Sequence, residues 1–313
     1  MSRVRFNPML GEWIIVTKER ASRPFQEQDH ECPFCPGQPE TQGDWDVLTL
    51  DNKFPALSPD FPPFPLDSGI VMDGPAYGAS KVIVYSRDHT EQFEDMDDKQ
   101  IQLVLQEYLR VFRELDKLKG IAYVLEFENR GQAIGVSLDH AHGQVMAIPF
   151  LPPRIERELA QSRKLWESES NCIVCKAVEN EFKSGSPRII KQTKHFLSLV
   201  PFYARLPYEV HIYPRKHVAS LIELEDQLLE LGQVMKDTVK RYAKFFEENA
   251  YVMAFHTRPS VGEHPYWHFH IEFYPIWRDK KTRKYLGGIE TGGWTYMNDS
   301  TPEESAKELR EAI

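Results

Sequence analysis

Cysteine is scarce in this chain: four in 313 residues, too few for a disulfide framework. They fall as Cys32-x-x-Cys35 and Cys172-x-x-Cys175, a pattern that in a reducing compartment points to metal before disulfide. Long apolar runs are also missing. None approaches the roughly 18–20 residues of a membrane span, and the opening MSRVRFNPMLGEW holds no apolar signal core. A cytoplasmic protein with no membrane partner is expected. Positive charge is in deficit, with 38 Lys and Arg against 47 Asp and Glu and a formal charge of −9. Without a basic run, a long grip on a phosphate backbone is disfavoured, so no nucleic-acid partner is expected. A local basic pocket for one small phosphorylated ligand stays open. Neither a Gly-x-x-x-x-Gly-Lys-Ser/Thr phosphate loop nor a Gly-x-Ser-x-Gly elbow occurs.

What is there is a duplication. The length is roughly twice a typical domain. Lys81-Val-Ile-Val-Tyr-Ser-Arg-Asp-His89 matches Glu209-Val-His-Ile-Tyr-Pro-Arg-Lys-His217, an offset of 128 (217 − 89). Ala122 to Arg130 matches Ala250 to Arg258 at the same offset, and His140-Ala-His142 matches His268-Phe-His270. The Cys pairs repeat at an offset of 140, so the first copy holds 12 extra residues (140 − 128), for which the Pro-rich stretch Phe54 to Pro65 is the natural home. The division is placed at 1–160 and 161–313.

Each copy reads alike. Val82–Tyr85 and Val210–Tyr213 have strand character, and a helical stretch follows each, Glu94 to Leu118 and Leu221 to Phe246. Strands then recur at Ala122–Phe127 and Ala250–Phe255, and at Val145–Ile148 and Ile271–Tyr274 beside each His-x-His. The expected fold class is α+β: a duplicated unit of mainly antiparallel sheet, each copy with one long packed helix. Ser300 to Ile313 reads as a capped C-terminal helix with Pro302 in its first turn.

The repeat supplies metal ligands in fours. A structural zinc takes four N or S donors with none left open. The spacing from His89 to His140 and from His217 to His268 is 51 residues in both copies. One site is therefore expected from Cys32, Cys35, His89 and His140, and a second from Cys172, Cys175, His217 and His268. Redox pairs or simple buried thiols are the competing reading of the Cys-x-x-Cys motifs, and His256 and His264 rival the ligands of the second site.

His140-Ala141-His142-Gly143-Gln144 carries the reactive chemistry. Residues i and i+2 of a strand share a face, so a metal on His140 leaves His142 beside it with its imidazole free. Such an imidazole can attack phosphorus and form a covalent intermediate, provided its other nitrogen is hydrogen-bonded. Gly143 leaves room for a phosphate to approach the backbone, and Gln144 can donate to a phosphoryl oxygen. In the second copy His270 is followed by Ile271-Glu272, so catalysis is expected in the first copy alone. His30, His195 and His211 read as surface or core histidines without chemistry.

With its His-x-His-Gly-Gln, its Cys-x-x-Cys and its duplication, the sequence resembles the galactose-1-phosphate uridylyltransferase family of the histidine-triad superfamily. Asn7 to Pro24, Phe127 to Gln144 and Lys284 to Glu290 are similar to the family's N-terminal, active-site and hexose-phosphate segments. The resemblance implies that His142 takes UMP from UDP-glucose and passes it to galactose 1-phosphate. It also implies that Gln144 and Ser137 contact phosphoryl oxygens, and that Asn52 and Asn129 contact the nucleotide. Arg20 and Arg23 would bind substrate, Lys284 and Glu290 would hold the hexose phosphate, the zinc would be structural, and the protein would be a homodimer. Ala141 stands where the family has Pro, Lys53 where many members have Asp, and Ile289 and Tyr296 where members have Tyr and Gln. The run Glu290 to Asn298 looks instead like a divergent branch with nucleotide-sugar phosphorylases and adenylyl transferases. An ADP-sugar phosphorylase or adenylyltransferase is the alternative within the superfamily; a non-catalytic zinc-stabilised binding protein is the alternative outside it.

Overall fold

The alternating apolar segments of both copies join in one sheet rather than two. The computed structural model describes residues 2–18, 32–63, 72–136 and 138–313. The first half contributes β1 (Arg3–Asn7), β2 (Glu12–Val16), β3 (Leu48–Asp51), β4 (Asp73–Pro75), β5 (Ala79–Val84), α1 (Asp98–Leu115), β6 (Tyr123–Arg130) and β7 (His142–Ile148). Then come α2 (Pro153–Glu169) and α3 (Ile173–Ser184). The second half continues with β8 (Ile189–Gln192), β9 (Phe196–Leu199), β10 (Val210–Pro214), α4 (Leu228–Phe245), β11 (Tyr251–His256) and β12 (His270–Pro275). It closes with α5 (Gly288–Gly293) and α6 (Pro302–Glu311). Nine strands form a sheet of order β3-β5-β7-β6-β11-β12-β10-β9-β8, with antiparallel neighbours throughout. β6 and β11 pair at its centre and fuse the halves. A separate small sheet β2-β1-β4 packs through Val4, Trp13 and Ile15 against Leu125, Met146 and Ile148.

One face of the large sheet is covered by α1 and α4. Ile101, Val104, Leu105, Tyr108 and Phe112 of α1 are buried with Leu231, Val234, Met235 and Val239 of α4 in one continuous core. Each fully buried aliphatic side chain of this kind contributes about 1.5–3 kcal/mol. The helices meet closely at Gly232, where an added Cβ would lie 2.2 Å from Ile101 Cγ2. The opposite face carries the histidines.

Several boundaries differ from the sequence expectation. α1 begins at Asp98 rather than Glu94 because the Asp97 carboxylate accepts from Gln100 N at 2.8 Å and caps it. The stretch from Leu221 to Phe246 is two pieces, a 3-10 turn over Leu221–Gln227 and then α4; Leu221, Leu224 and Leu228 are buried along both, so the apolar spacing runs on while the backbone does not. The β7 and β12 strands begin at His142 and His270 themselves. Helix α2 has only Ile155 and Ser162 buried, too thin a stripe to show as a period, and it was not expected. The C-terminal helix has its capping box between Thr301 and Glu304, with Pro302 leading.

The constant repeat offset of 128 also needs correction. His142 and His270 do correspond at 128. In β6, however, Phe127 pairs with Gln144, and in β11 Ala254 pairs with Glu272, so these strands correspond at 127 (254 − 127). Val84 pairs with His142, and Ile212 pairs with Ile271, one past His270, so β5 and β10 correspond at 129. A one-residue slip turns every side chain to the other face. Tyr85 thus lies in the helix-side core while Tyr213 borders a cavity on the histidine side.

Candidate active site

Alternation along β7 sends His142 and Gln144 to the open face and Gly143 and Val145 to the core face. Phe127 and Asn129 of β6 share that open face. Asn129 and His142 border one cavity of about 190 Å³, walled also by Gln92, Arg130 and Asp139. The Nδ1–H of His142 donates to the His140 carbonyl oxygen at 2.8 Å, which fixes the tautomer and leaves the Nε2 lone pair outward. Burial pushes this imidazole below its ordinary pKa range, against the carbonyl contact that pulls it up. Phe34, in the turn between Cys32 and Cys35, lies with its ring 5.1 Å from that of His142.

Gly143 does not serve the purpose read from the sequence. An added Cβ would stand 1.7 Å from Tyr108 Oη and 2.5 Å from Tyr85 Oη, both on the core side. The space it spares belongs to these phenols, not to a phosphate. Tyr85 donates to Glu128 at 2.8 Å and shares a hydrogen bond of 2.7 Å with Tyr108, while Tyr251 donates to the other Glu128 oxygen at 2.7 Å. Burial raises the Glu128 carboxyl, and Arg130 and the two phenols oppose that. This buried network under β7 was missed, since its members come from four separate segments of the chain.

The eight proposed ligands fall into two groups of four. In Cys32, Cys35, His89 and His140, and again in Cys172, Cys175, His217 and His268, the donor atoms lie within 4.8 Å of one another. His140 Nδ1 is 3.7 and 3.9 Å from the two sulfurs, and His89 Nδ1 is 3.6 Å from Cys35 Sγ. His268 Nδ1 is 3.6 and 3.4 Å from its two sulfurs, and His217 Nδ1 is 3.5 Å from Cys175 Sγ. Zinc bonds of about 2.3 Å to sulfur and about 2.0 Å to nitrogen, set tetrahedrally, place S and N about 3.5 Å apart. Both donor sets fit. The outer nitrogens are also placed for it: His140 Nε2 donates to Ser86 O at 2.8 Å, His268 Nε2 to Pro214 O and His217 Nε2 to Pro265 O, both at 3.0 Å. The rivals are engaged elsewhere, His256 with Glu158 at 2.8 Å and His264 with Val261 O at 2.8 Å.

The second half repeats the histidine and cancels it. His270 Nδ1 donates to His268 O at 3.0 Å, as in the first half, but its Nε2 lies 3.3 Å from a Glu272 oxygen. Burial opposes charge on this ring; the hydrogen bond and charge of Glu272 outweigh it and raise the pKa. Its Nε2 is a donor, not a nucleophile. Glu272 further accepts from Arg154 and Tyr274 and lies 3.3 Å from His211 Nε2. His211, read as inert, is thus buried within a polar network, and Glu158, His256, His270 and Glu272 bring four donor atoms together there.

The remaining proposed contacts are dispersed. Asn52 Oδ1 accepts from Phe54 N at 2.9 Å in a turn after β3. Lys284 binds Glu290 at 2.9 Å and Asp299 at 3.1 Å, and neither Lys284 nor Glu290 borders the His142 cavity. Arg20, Arg23, His30 and Ser137 lie outside the described residues. Among the described residues no helix is long and apolar enough to cross a membrane.

The galactose-1-phosphate uridyl transferase N-terminal domain matches residues 1–152, and the C-terminal domain of that family matches residues 160–313. A galactose-1-phosphate uridylyltransferase of Thermotoga maritima is 39% identical over 99% of this chain and 98% of its own. A solved uridylyltransferase structure superimposes with a TM-score of 0.89 at 34% identity, covering 100% of this chain and 98% of that one. An ADP-glucose phosphorylase from Arabidopsis thaliana, solved with bound ADP-glucose, is more distant, with a TM-score of 0.75 at 26% identity and 99% coverage of both chains. This chain belongs to the galactose-1-phosphate uridyl transferase family.

Proposed function

We propose that this chain transfers UMP from UDP-glucose to galactose 1-phosphate by double displacement at His142. The observation that carries the reading is the contrast between two equivalent rings: His142 has Nδ1 anchored and Nε2 facing a cavity, while His270 has both nitrogens engaged. In the first step the His142 Nε2 lone pair forms a bond to the α-phosphorus of UDP-glucose. The bond from that phosphorus to the bridging oxygen breaks, and glucose 1-phosphate leaves with the electron pair. In the second step a phosphate oxygen of galactose 1-phosphate attacks the same phosphorus, the P–N bond breaks, and UDP-galactose is released with His142 restored. Gln144, on the same face two residues on, donates to a phosphoryl oxygen as its charge grows.

The substrate roles follow from the family pattern: Asn129 and Asn52 toward the nucleotide, Ser137 toward phosphate, Arg20 and Arg23 toward substrate, Lys284 and Glu290 toward the hexose phosphate. Asn129 beside His142 supports the first of these. Neither Lys284 nor Glu290 borders the His142 cavity; the family pattern implies a homodimer, with Arg20 and Arg23 reaching substrate across its interface. The first half, 1–160, carries the transfer chemistry and the second, 161–313, the hexose-phosphate segment, with α2 running across the division. Zinc in the two Cys₂His₂ groups is structural; it would pin each Cys-x-x-Cys turn to its His-x-His strand. The protein acts in the cytoplasm.

Incubation with UDP-glucose labelled in the uridylyl group, without acceptor, tests the reading: label bound to the protein and lost in His142→Gly is expected, and label that persists in that variant contradicts it. The second reading, phosphorolysis or adenylyl transfer with ADP-sugars, is favoured by the full-length likeness to the phosphorylase solved with ADP-glucose. Turnover of UDP- and ADP-glucose, with and without phosphate, separates the two.

A further inference from the structure

Among the described residues there is a cavity larger than the one at His142. It lies over the second half's histidines, has a volume of about 380 Å³, and is mostly apolar in its lining. That volume falls in the range of small-molecule sites, about 300–1,000 Å³. Helix α2 roofs it, α3 contributes Ile173 and Val174, and Tyr203 stands at its side.

Its charges are sorted. The inner carboxylates are all paired: Glu158 with Arg154 and His256, Glu209 with the Arg205 and Leu206 backbone N–H groups and His211, Glu272 with Arg154 and His270. Two other guanidiniums of the lining are not bound in this way. Arg157 is exposed and rests over the Trp294 ring at 4.7 Å; among the described residues no carboxylate pairs with it. Arg205 lies over Tyr296 at 5.0 Å and reaches Glu209 only at 4.0 Å. Arg205 also lies over the Tyr274 ring at 5.5 Å, and Trp294 and Tyr296 are two residues apart. Stacking orients each guanidinium plane while leaving its N–H groups to donate.

We infer that the second half holds a non-catalytic binding site for a nucleoside monophosphate, with the base in the apolar part beside Tyr203, Ile173 and Val174 and the phosphate on Arg157 and Arg205. Two guanidiniums lining one cavity suit an anion such as a phosphate over a neutral sugar. The apolar wall suits a base. Glu272 holds the His270 nitrogen that would otherwise attack, so a ligand there binds without reacting. The choice of a nucleotide rests on the transfer reading of the first half, whose open face this cavity repeats.

Calorimetric titration of the full chain with UMP, AMP and inorganic phosphate tests this, with R157Q/R205Q as the variant and Tyr203→Ala as a second. Metal content and unfolding temperature of both variants check the fold. With both readings sound, one nucleotide binds two equivalents per chain, and one of these weakens by roughly tenfold or more in each variant. Labelling of His142 stays as in the parent. If His142 takes no label but an arginine-dependent nucleotide site persists, the transfer reading fails and this one stands. Nucleotide binding unchanged by the paired substitution, or phosphate alone binding as tightly as UMP and AMP, overturns it.

Discussion

Gly143 stands so close to Tyr108 that a Cβ built on it would lie 1.7 Å from the phenolic oxygen. Residue 143 is therefore glycine because the core beneath it is full. Gly143→Ala is expected to lose roughly 1–3 kcal/mol of stability by overpacking and to slow His142 labelling by shifting the strand. Tyr108→Phe removes the nearest oxygen. A double-mutant cycle in chemical unfolding should show that Tyr108→Phe costs less in the Gly143→Ala background than in the parent; strict additivity contradicts the packing account.

Metal binding gives a second prediction. Each chain should carry two zinc ions by elemental analysis, with Cys32→Ser losing one and Cys172→Ser the other. Each loss should lower the unfolding temperature by roughly 5 °C or more, on the scale of ~2 kcal/mol for a chain of this size. Full stability in metal-free protein contradicts a structural role.

Glu126 predicts a pH dependence. Its side chain is buried in β6, and among the described residues neither oxygen has a hydrogen-bond partner. Burial, with a smaller push from Asp116, raises its carboxyl well above the usual range. A raised acid contributes its full stability below the unfolded-state value, near 4.5, and loses it as pH rises toward the folded value. Glu126→Met, close in volume, should stabilise by roughly 1–3 kcal/mol at neutral pH. The gain should shrink toward pH 4, where the carboxyl is protonated in both states. A gain independent of pH contradicts this.

The sequence made legible whatever depended on residue type at short spacing. His140 and His142 lie at one strand end, Cys32 and Cys35 close a turn, and Cys172 caps α3 with Cys175 in its first turn, so their chemistry shows locally. Strand register did not show. Tyr123 and Tyr251 match by letter, yet Tyr123 packs on the open face with Trp267 and Tyr251 in the helix-side core, because pairing across the sheet decides the face. The fusion of the halves through β6 and β11 rests on that same long-range pairing. Gly143 misled because its constraint comes from α1, 35 residues earlier (143 − 108). Helix α2 was invisible for want of an apolar stripe, although Arg154 and Glu158 from it complete the second half's buried network.

The pairing of Glu272 with His270 predicts that the halves cannot exchange roles. His270→Gln should leave protein labelling by UDP-glucose within about twofold of the parent, since its Nε2 is already bonded. Labelling that moves to residue 270 in a His142→Gly background contradicts the assignment.

The most direct measurement of the central claim is mass-spectrometric mapping after a brief exposure to UDP-glucose with no acceptor sugar. One uridylyl adduct per chain is expected, on the peptide holding His142, discharged on adding galactose 1-phosphate. An adduct on any other residue, or turnover of both sugars with no adduct at all, contradicts it.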